Sequence, residues 1–230
     1  GNKKNQAKNR KKERKSENKM TIRSKKDLEI VLERLRGFKE PSWELEQYAT
    51  PANIAADWIW QATLRGDIRG KVILDAACGP GVLGIGALLM GAKKVFFVDK
   101  SREAIDICRE NYEKIKEEYM VGEANFIVGD ISLFDEEVDT VLENPPFGTK
   151  TKHIDKLFLE KAFKVGKVVW SMHKLSTKIF VEAISKDYGF RITDVYKYDF
   201  PIKAVFKFHE KPVKAIAVAL WRMERREKVL

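Results

Sequence analysis

The chain has 230 residues, enough for one α/β domain with a single core and modest extensions. Its apolar share of 44% is ordinary, its charged share of 34% is high, and its two cysteines, Cys78 and Cys108, make no disulfide framework. No apolar run approaches the roughly 20 residues that span a bilayer and no signal-peptide core follows the basic start, so a soluble protein of the reducing cytoplasm, with no membrane association, is expected.

The net charge of +10 is unevenly placed. Residues 1–26 hold 12 of the 44 Lys and Arg, with only Glu13 and Glu17 among the acids, and the other 204 residues balance at 32 basic and 32 acidic. A run such as Lys3-Lys4, Lys11-Lys12 and Arg14-Lys15 has no hydrophobic periodicity and cannot fold alone. Residues 1–26 are therefore expected to form a disordered basic tail, and 27–230 a folded domain. The functional alternative for the tail is a polyanion-binding arm, because each cation that neutralises a phosphate releases counterions.

In chain order, Leu28, Val31, Leu32 and Leu35 predict an amphipathic helix over 27–36, stopped at Gly37. Thr50 is placed as an N-cap and Pro51 as the first residue of a helix running to about Leu64. Lys71–Ala76, Lys94–Val98, Ala124–Gly129, Val138–Glu143 and Gly166–Ser171 read as buried strands. Ile105, Cys108, Tyr112, Ile115 and Tyr119 recur at helical spacing between the second and the third. A further helix follows near Ser176–Lys186. Strands alternating with helices imply a parallel sheet covered on both faces. Phe190–Tyr198 and Val213–Arg222 then follow with no helix between them, so an antiparallel hairpin closes the sheet.

The first strand runs into Asp75-Ala-Ala-Cys78-Gly79-Pro80-Gly81-Val-Leu-Gly84. Taken alone, Gly79-x-Gly81-x-x-Gly84 spells a dinucleotide fingerprint, with Asp99 ending the next strand where a ribose would lie. Asp75 favours a different ligand, since a carboxylate beside the loop suits an ammonium group and opposes a pyrophosphate. Asp-x-Ala-x-Gly-x-Gly resembles the first motif of class I methyltransferases, whose loop lies against the amino acid part of S-adenosylmethionine. That resemblance implies that Asp99 binds the ribose hydroxyls and that Asp130, in Val128-Gly129-Asp130-Ile131, meets the adenine amino group. Cys78, Gly79, Gly81, Lys100 and Ile131 join them as candidate cofactor residues. All lie on the carboxyl edge, where open sheets bind ligands.

The fourth strand ends in Asn144-Pro145-Pro146-Phe147. An exocyclic adenine amine is a poor nucleophile because its lone pair is delocalised into the ring. Two acceptors near its N–H groups, the Asn144 side-chain oxygen and the Pro145 carbonyl, favour a more tetrahedral nitrogen. The prolines fix φ and carry no competing N–H, and Phe147 offers a face on which an extruded base stacks. No strong general base is needed, because the methylated nitrogen loses its proton easily. Phe at this place resembles adenine-N6 enzymes, whereas Tyr is commoner in enzymes acting on protein glutamine or guanine N2.

Further stretches narrow the likeness: Leu45-Glu-Gln47-Tyr48-Ala-Thr50-Pro51, Asn144–Lys150, Ser171-Met-His173-Lys174, and Tyr198-Asp-Phe-Pro201 with Phe206-Lys-Phe208-His209. Together they resemble the methyltransferase-like protein five family of small-subunit ribosomal RNA adenine-N6 methyltransferases, over about Asp27 to Met223. The resemblance implies a three-layer Rossmann-like fold with a seven-stranded, mostly parallel sheet. It implies a lid over the cofactor made of Gln47, Tyr48 and Thr50, and a small zinc-binding activator subunit as heterodimer partner. The chain offers no metal site of its own, because its three His and two Cys lack ligand spacing. Glu143 departs from the pattern, standing where an apolar residue is expected.

For RNA, Lys203, Lys207 and Lys211 interleave with Phe206 and Phe208, and basic residues among aromatics suit single strands. Lys150 and His173 are added as substrate-proximal, His173 being read as a loop or substrate-proximal residue rather than a catalyst. Core Phe with solvated Lys is the bland alternative. The rival functions are a protein-glutamine N5 methyltransferase acting on a release factor, a guanine-N2 RNA methyltransferase, and a catalytically silent RNA-binding or scaffold subunit.

Overall fold

Each of the first five strands is followed by a segment that carries the chain back across the sheet, so the apolar runs stack in parallel. The computed structural model describes residues 19–39, 49–146, 154–202 and 214–227. Its elements in order are α1 (Lys25–Glu33), α2 (Ala52–Leu64), β1 (Val72–Ala76), α3 (Val82–Leu89), β2 (Lys94–Asp99), α4 (Arg102–Glu118), β3 (Glu123–Val128), a 3-10 turn (Ile131–Leu133), β4 (Val138–Glu143), α5 (Ile154–Val165), β5 (Gly166–Lys174), a second 3-10 turn (Leu175–Thr177), α6 (Lys178–Asp187), β6 (Phe190–Ile202) and β7 (Lys214–Arg225). The sheet has seven strands in the order β3-β2-β1-β4-β5-β7-β6. Pairs among β1 to β5 are parallel, and β7 runs antiparallel to both β5 and β6. This is the three-layer Rossmann-like arrangement that the sequence predicts.

The two faces bury separate cores. On one, Leu28 and Leu32 of α1, Trp58 and Ile59 of α2, Leu88 of α3 and Ile105 and Cys108 of α4 pack on Val95, Phe97, Leu142 and Met172. On the other, Phe158, Leu159 and Phe163 of α5 and Val181 and Ile184 of α6 pack on Leu74, Val141, Val169 and Trp221. The terminal hairpin is pinned to the body by a buried ion pair. Arg222 Nε and Nη2 donate to Asp67 Oδ2 and Oδ1 at 2.8 and 3.1 Å, and Trp170 Nε1 donates to the same carboxylate at 2.8 Å.

Four expectations are corrected. β3, read as a buried strand, lies at the sheet edge with β2 as its single neighbour among the described residues, and Glu123, Asn125, Ile127 and Val128 face solvent. β5 continues past Ser171 to Lys174, because β7 pairs with it as far as Val218↔Lys174. Thr50 is not the cap of α2, which starts at Ala52 behind Pro51 with no side-chain cap. Residues 19–26, grouped by charge with the tail, touch the body: Met20 N–H donates to Glu118 O at 2.9 Å, and Ser24 caps α1 by accepting the Asp27 N–H. Residues 1–18 lie outside the described residues. Among the described residues no helix is long and apolar enough to cross a membrane.

Candidate active site

Sheet order reverses between β1 and β4, and open sheets bind ligands outside the strand ends at such a point. A cavity of about 290 Å³ opens there, walled by Cys78, Gly79, Asp99, Ile131, Asn144 and Pro146 among others.

The glycine loop is shaped by what surrounds it. Asp75 is buried, and its Oδ2 accepts the Gly84 N–H at 2.8 Å. A Cβ on Gly84 would lie 2.3 Å from Phe97 Cε1 and 2.9 Å from Asp75 Oδ2, so only glycine lets α3 approach β2 and the carboxylate this closely. Gly81 enters α3 at φ 93°, and a Cβ there would meet Cys108 Sγ at 2.4 Å. Ala77 bends the chain out of β1 at φ 55°, a left-handed conformation that costs a side-chain-bearing residue energy. Burial pushes the Asp75 carboxyl up to about 8, with the Gly84 N–H opposing and the Asp99 charge adding to the rise. An ammonium group arriving beside Asp75 would reverse that by favouring the ionised form.

Asp99 braces the same loop. Its Oδ2 accepts the Gly79 N–H at 2.9 Å and its Oδ1 the Ser101 N–H at 2.8 Å. Burial raises this carboxyl against those two bonds. Each oxygen keeps a lone pair for a hydroxyl donor from the cavity. Asp130 behaves differently. Its Oδ2 pairs with Lys100 Nζ at 2.7 Å and its Oδ1 accepts the Ser132 N–H at 2.8 Å. The Lys100 bond holds this carboxyl down at about 2. At the end of β3 it is Gly129 and Ile131 that line the cavity, while Asp130 is engaged with its neighbours.

Asn144 follows the last residue of β4 directly. Its Nδ2 donates to Thr50 Oγ1 at 2.9 Å, and its Oδ1 is buried without a partner. Thr50 therefore belongs with the Asn144 loop, joining the segment before α2 to the end of β4. The Asn144 oxygen is left as an unpaired buried acceptor at the end of β4.

His173 is corrected: it sits inside β5 and not in a loop, 3% exposed, with Nε2 at 2.6 Å from Ser171 Oγ. Burial alone drives it down to about 3, so it is neutral and offers RNA no charge. Gln47, Tyr48, Phe147, Lys150, Lys203, Lys207, Phe208 and Lys211 lie outside the described residues.

Sequence reasoning missed Phe38, Ile154 and Phe158, which also line the cavity. It also missed Asn111, buried in α4, which donates through Nδ2 to Pro80 O at 3.0 Å and Arg36 O at 2.9 Å and accepts the Arg36 N–H at 2.9 Å. Asn111 thereby holds the 36–38 segment over the glycine loop. The one local signal was a polar residue beside the apolar stripe of that helix.

Comparison with known proteins decides the family. The family model described as conserved hypothetical protein 95 matches residues 57–189. An uncharacterised protein of Methanocaldococcus jannaschii is 35% identical over 87% of this chain and 94% of its own. The rRNA N(6)-adenosine-methyltransferase Mettl5 of Drosophila melanogaster is 34% identical over 86% of this chain and 94% of its own. The chain belongs to the METTL5 family. A solved Pyrococcus horikoshii protein, proposed to be an RNA methyltransferase, superposes on this METTL5-family chain with TM-score 0.79 at 40% identity, covering 88% of this chain and 98% of the other.

A METTL5-family chain is a class I methyltransferase, an enzyme whose methyl donor is S-adenosylmethionine. The residues present fit that donor. Asp75 and the glycine loop suit an amino acid moiety, Asp99 suits a diol, and Gly129 and Ile131 leave an apolar slot at the end of β3. The Asp75 carboxylate beside the loop suits a cationic group better than a pyrophosphate.

Proposed function

We propose that this chain methylates the exocyclic N6 of an adenosine in ribosomal RNA, that of the small subunit in the first instance. The observation that carries the reading is the Asn144 side chain: its nitrogen is committed to Thr50 and its oxygen is buried, unpartnered and beside the cavity. Such an oxygen is costly to leave unpaired, and an amine N–H from a substrate relieves that cost.

S-adenosylmethionine supplies an electrophilic methyl group on a sulfonium, and displacement at that carbon turns on alignment and electrostatics. Asn144 Oδ1 and the Pro145 carbonyl accept the two amine hydrogens, drawing the lone pair out of conjugation, and Pro146 stiffens the turn. Phe147 stacks on the extruded base. Asp99 holds the ribose hydroxyls, Asp75 faces the ammonium through the loop, and Gly129 and Ile131 meet the adenine, Asp130 reaching its edge only on release from Lys100. Gln47, Tyr48 and Thr50 close the cofactor end. Lys150, Lys203, Lys207, Phe208 and Lys211 track the RNA strand, with residues 1–18 as a phosphate-binding arm. We place the reaction in the cytoplasm. The exposed β3 edge supports a partner pairing there, since bare strand edges invite a covering strand. The small zinc-binding subunit suggested by the family resemblance is our candidate.

The test is transfer of labelled methyl from S-adenosylmethionine to unmodified small-subunit ribosomal RNA, followed by digestion to nucleosides. Label in N6-methyladenosine is expected, and Asn144→Ala is expected to cut it by roughly 10²–10³-fold, the usual loss for one transition-state hydrogen bond, while donor affinity by calorimetry is retained. Label in guanosine or in protein sinks the adenine assignment.

A further inference from the structure

One buried polar row has no part in the reaction as described. Glu143 on β4 and Ser171 and His173 on β5 are 0%, 0% and 3% exposed. Ser171 Oγ lies 2.7 Å from Glu143 Oε1 and 2.6 Å from His173 Nε2, while Glu143 Oε2 has no partner. A hydroxyl has one proton to give. With Ser171 donating to Glu143 Oε1 and the neutral His173 Nε2–H donating to Ser171, a Glu143 protonated on Oε2 completes the row with no ionised group. An ionised Glu143 would instead leave a buried carboxylate with no cation beside it among the described residues.

The row sits at a decisive place. Glu143↔Ser171 is the last register pair between β4 and β5, and Ala76↔Glu143 is the last between β1 and β4. The next residue is Asn144. The end of β4 is thus tied to β5 at the residue from which the acceptor loop departs.

We propose that Glu143, Ser171 and His173 form a positioning row for Asn144, which in its neutral state aims the acceptor loop and which releases it when Glu143 ionises. This rests on the methyl-transfer reading above. Burial pushes Glu143 up to about 8 against the Ser171 bond. Among the described residues, titratable groups on the flanking elements offer no compensating charge. Asp75 on β1, paired in register with Leu142, points to the opposite face and Gly84. Asp155 and Lys156 on α5 are part-exposed and exposed, and Lys174 ends β5 half-buried. On β7 the row meets Trp221, whose ring lies 5.8 Å from that of His173.

The test measures kcat, RNA KM and donor affinity from pH 6 to 9.5 for the wild type, Glu143→Gln and Ser171→Ala, with folding checked by thermal denaturation. Asp75 titrates in the same range, so the comparison at saturating donor isolates Glu143. The expected result is a wild-type kcat that falls about tenfold above pH 8, with RNA KM nearly unchanged. Glu143→Gln, neutral throughout, is expected to stay flat, and Ser171→Ala to lose about tenfold in kcat already at pH 7. A flat wild-type kcat overturns the proposal by itself, whether or not Ser171→Ala folds. So does an alkaline fall that Glu143→Gln shares. Absence of N6-methyladenosine from the wild type at every pH would instead reject the reaction, and this inference with it.

Discussion

Asn144 and Thr50 orient each other: the amide nitrogen donates to the Thr50 hydroxyl at 2.9 Å across 94 residues of sequence, and the amide oxygen is left as the free acceptor. An isolated amide rotates easily, so this bond holds the plane of the Asn144 amide at the end of β4. Thr50→Val keeps the shape and removes the bond. Its single-turnover rate is expected to fall about tenfold, with Thr50→Ser recovering most of it. A Thr50→Val enzyme as fast as the wild type would detach Thr50 from the chemistry.

The third glycine of the loop carries a steric prediction. Gly84→Ala places a Cβ within 2.3 Å of Phe97 and must push α3 off the sheet. About 1–3 kcal/mol of stability should be lost, as for other overpacked cores. Gly37→Ala, where a Cβ meets nothing within 4 Å, is the control and should leave thermal denaturation almost unchanged.

Stability should depend on pH with a definite sign. Asp75 and Glu143, each pushed up to about 8 by burial, bind protons in the folded state that the unfolded chain releases near 4. Their contribution is therefore present at low pH and is lost as pH rises towards 8. His173, driven down from 6.5 to about 3, acts in the opposite sense and cancels part of that slope below pH 6.5. The decline should accordingly be steepest between about 6.5 and 8. Urea denaturation of the cofactor-free protein across this range checks it, and a midpoint that climbs towards pH 8 would contradict the assignment.

The Arg222–Asp67 pair predicts an asymmetry. Asp67→Ala leaves the buried Arg222 guanidinium with Glu224 and Thr193 as its remaining partners and Trp170 Nε1 unpaired, which should cost about 1–3 kcal/mol. The double variant Asp67→Ala, Arg222→Met removes the under-satisfied guanidinium and should recover part of that loss. Equal destabilisation in both variants would show that packing, not charge, is what the pair supplies.

Local rules set much of the site in advance. Strand ends, positive-φ turns and a helix start can be read from neighbouring residues, and they placed Asp75, Gly79, Gly81, Gly84, Asp99 and Asn144 on one edge. The same rules misjudged Thr50, whose position before Pro51 resembled a helix cap. They misjudged His173 too, because a strand that gains its last pairs from β7 cannot be measured from its own residues.

The sequence by itself determined the order of strands and helices, the parallel sheet with its closing hairpin, and the identity of the loop residues, because these follow from periodicity and backbone chemistry over a few residues. Only the tertiary structure decided that Thr50 orients Asn144, that Asn111 pins the 36–38 segment over the glycine loop, that Asp130 engages Lys100, and that Glu143 faces Ser171. Several of those partners lie far apart along the chain, 94 residues for Thr50 and Asn144 and 75 for Arg36 and Asn111. Even where they are closer, the sheet register and helix packing that bring them together depend on every element at once.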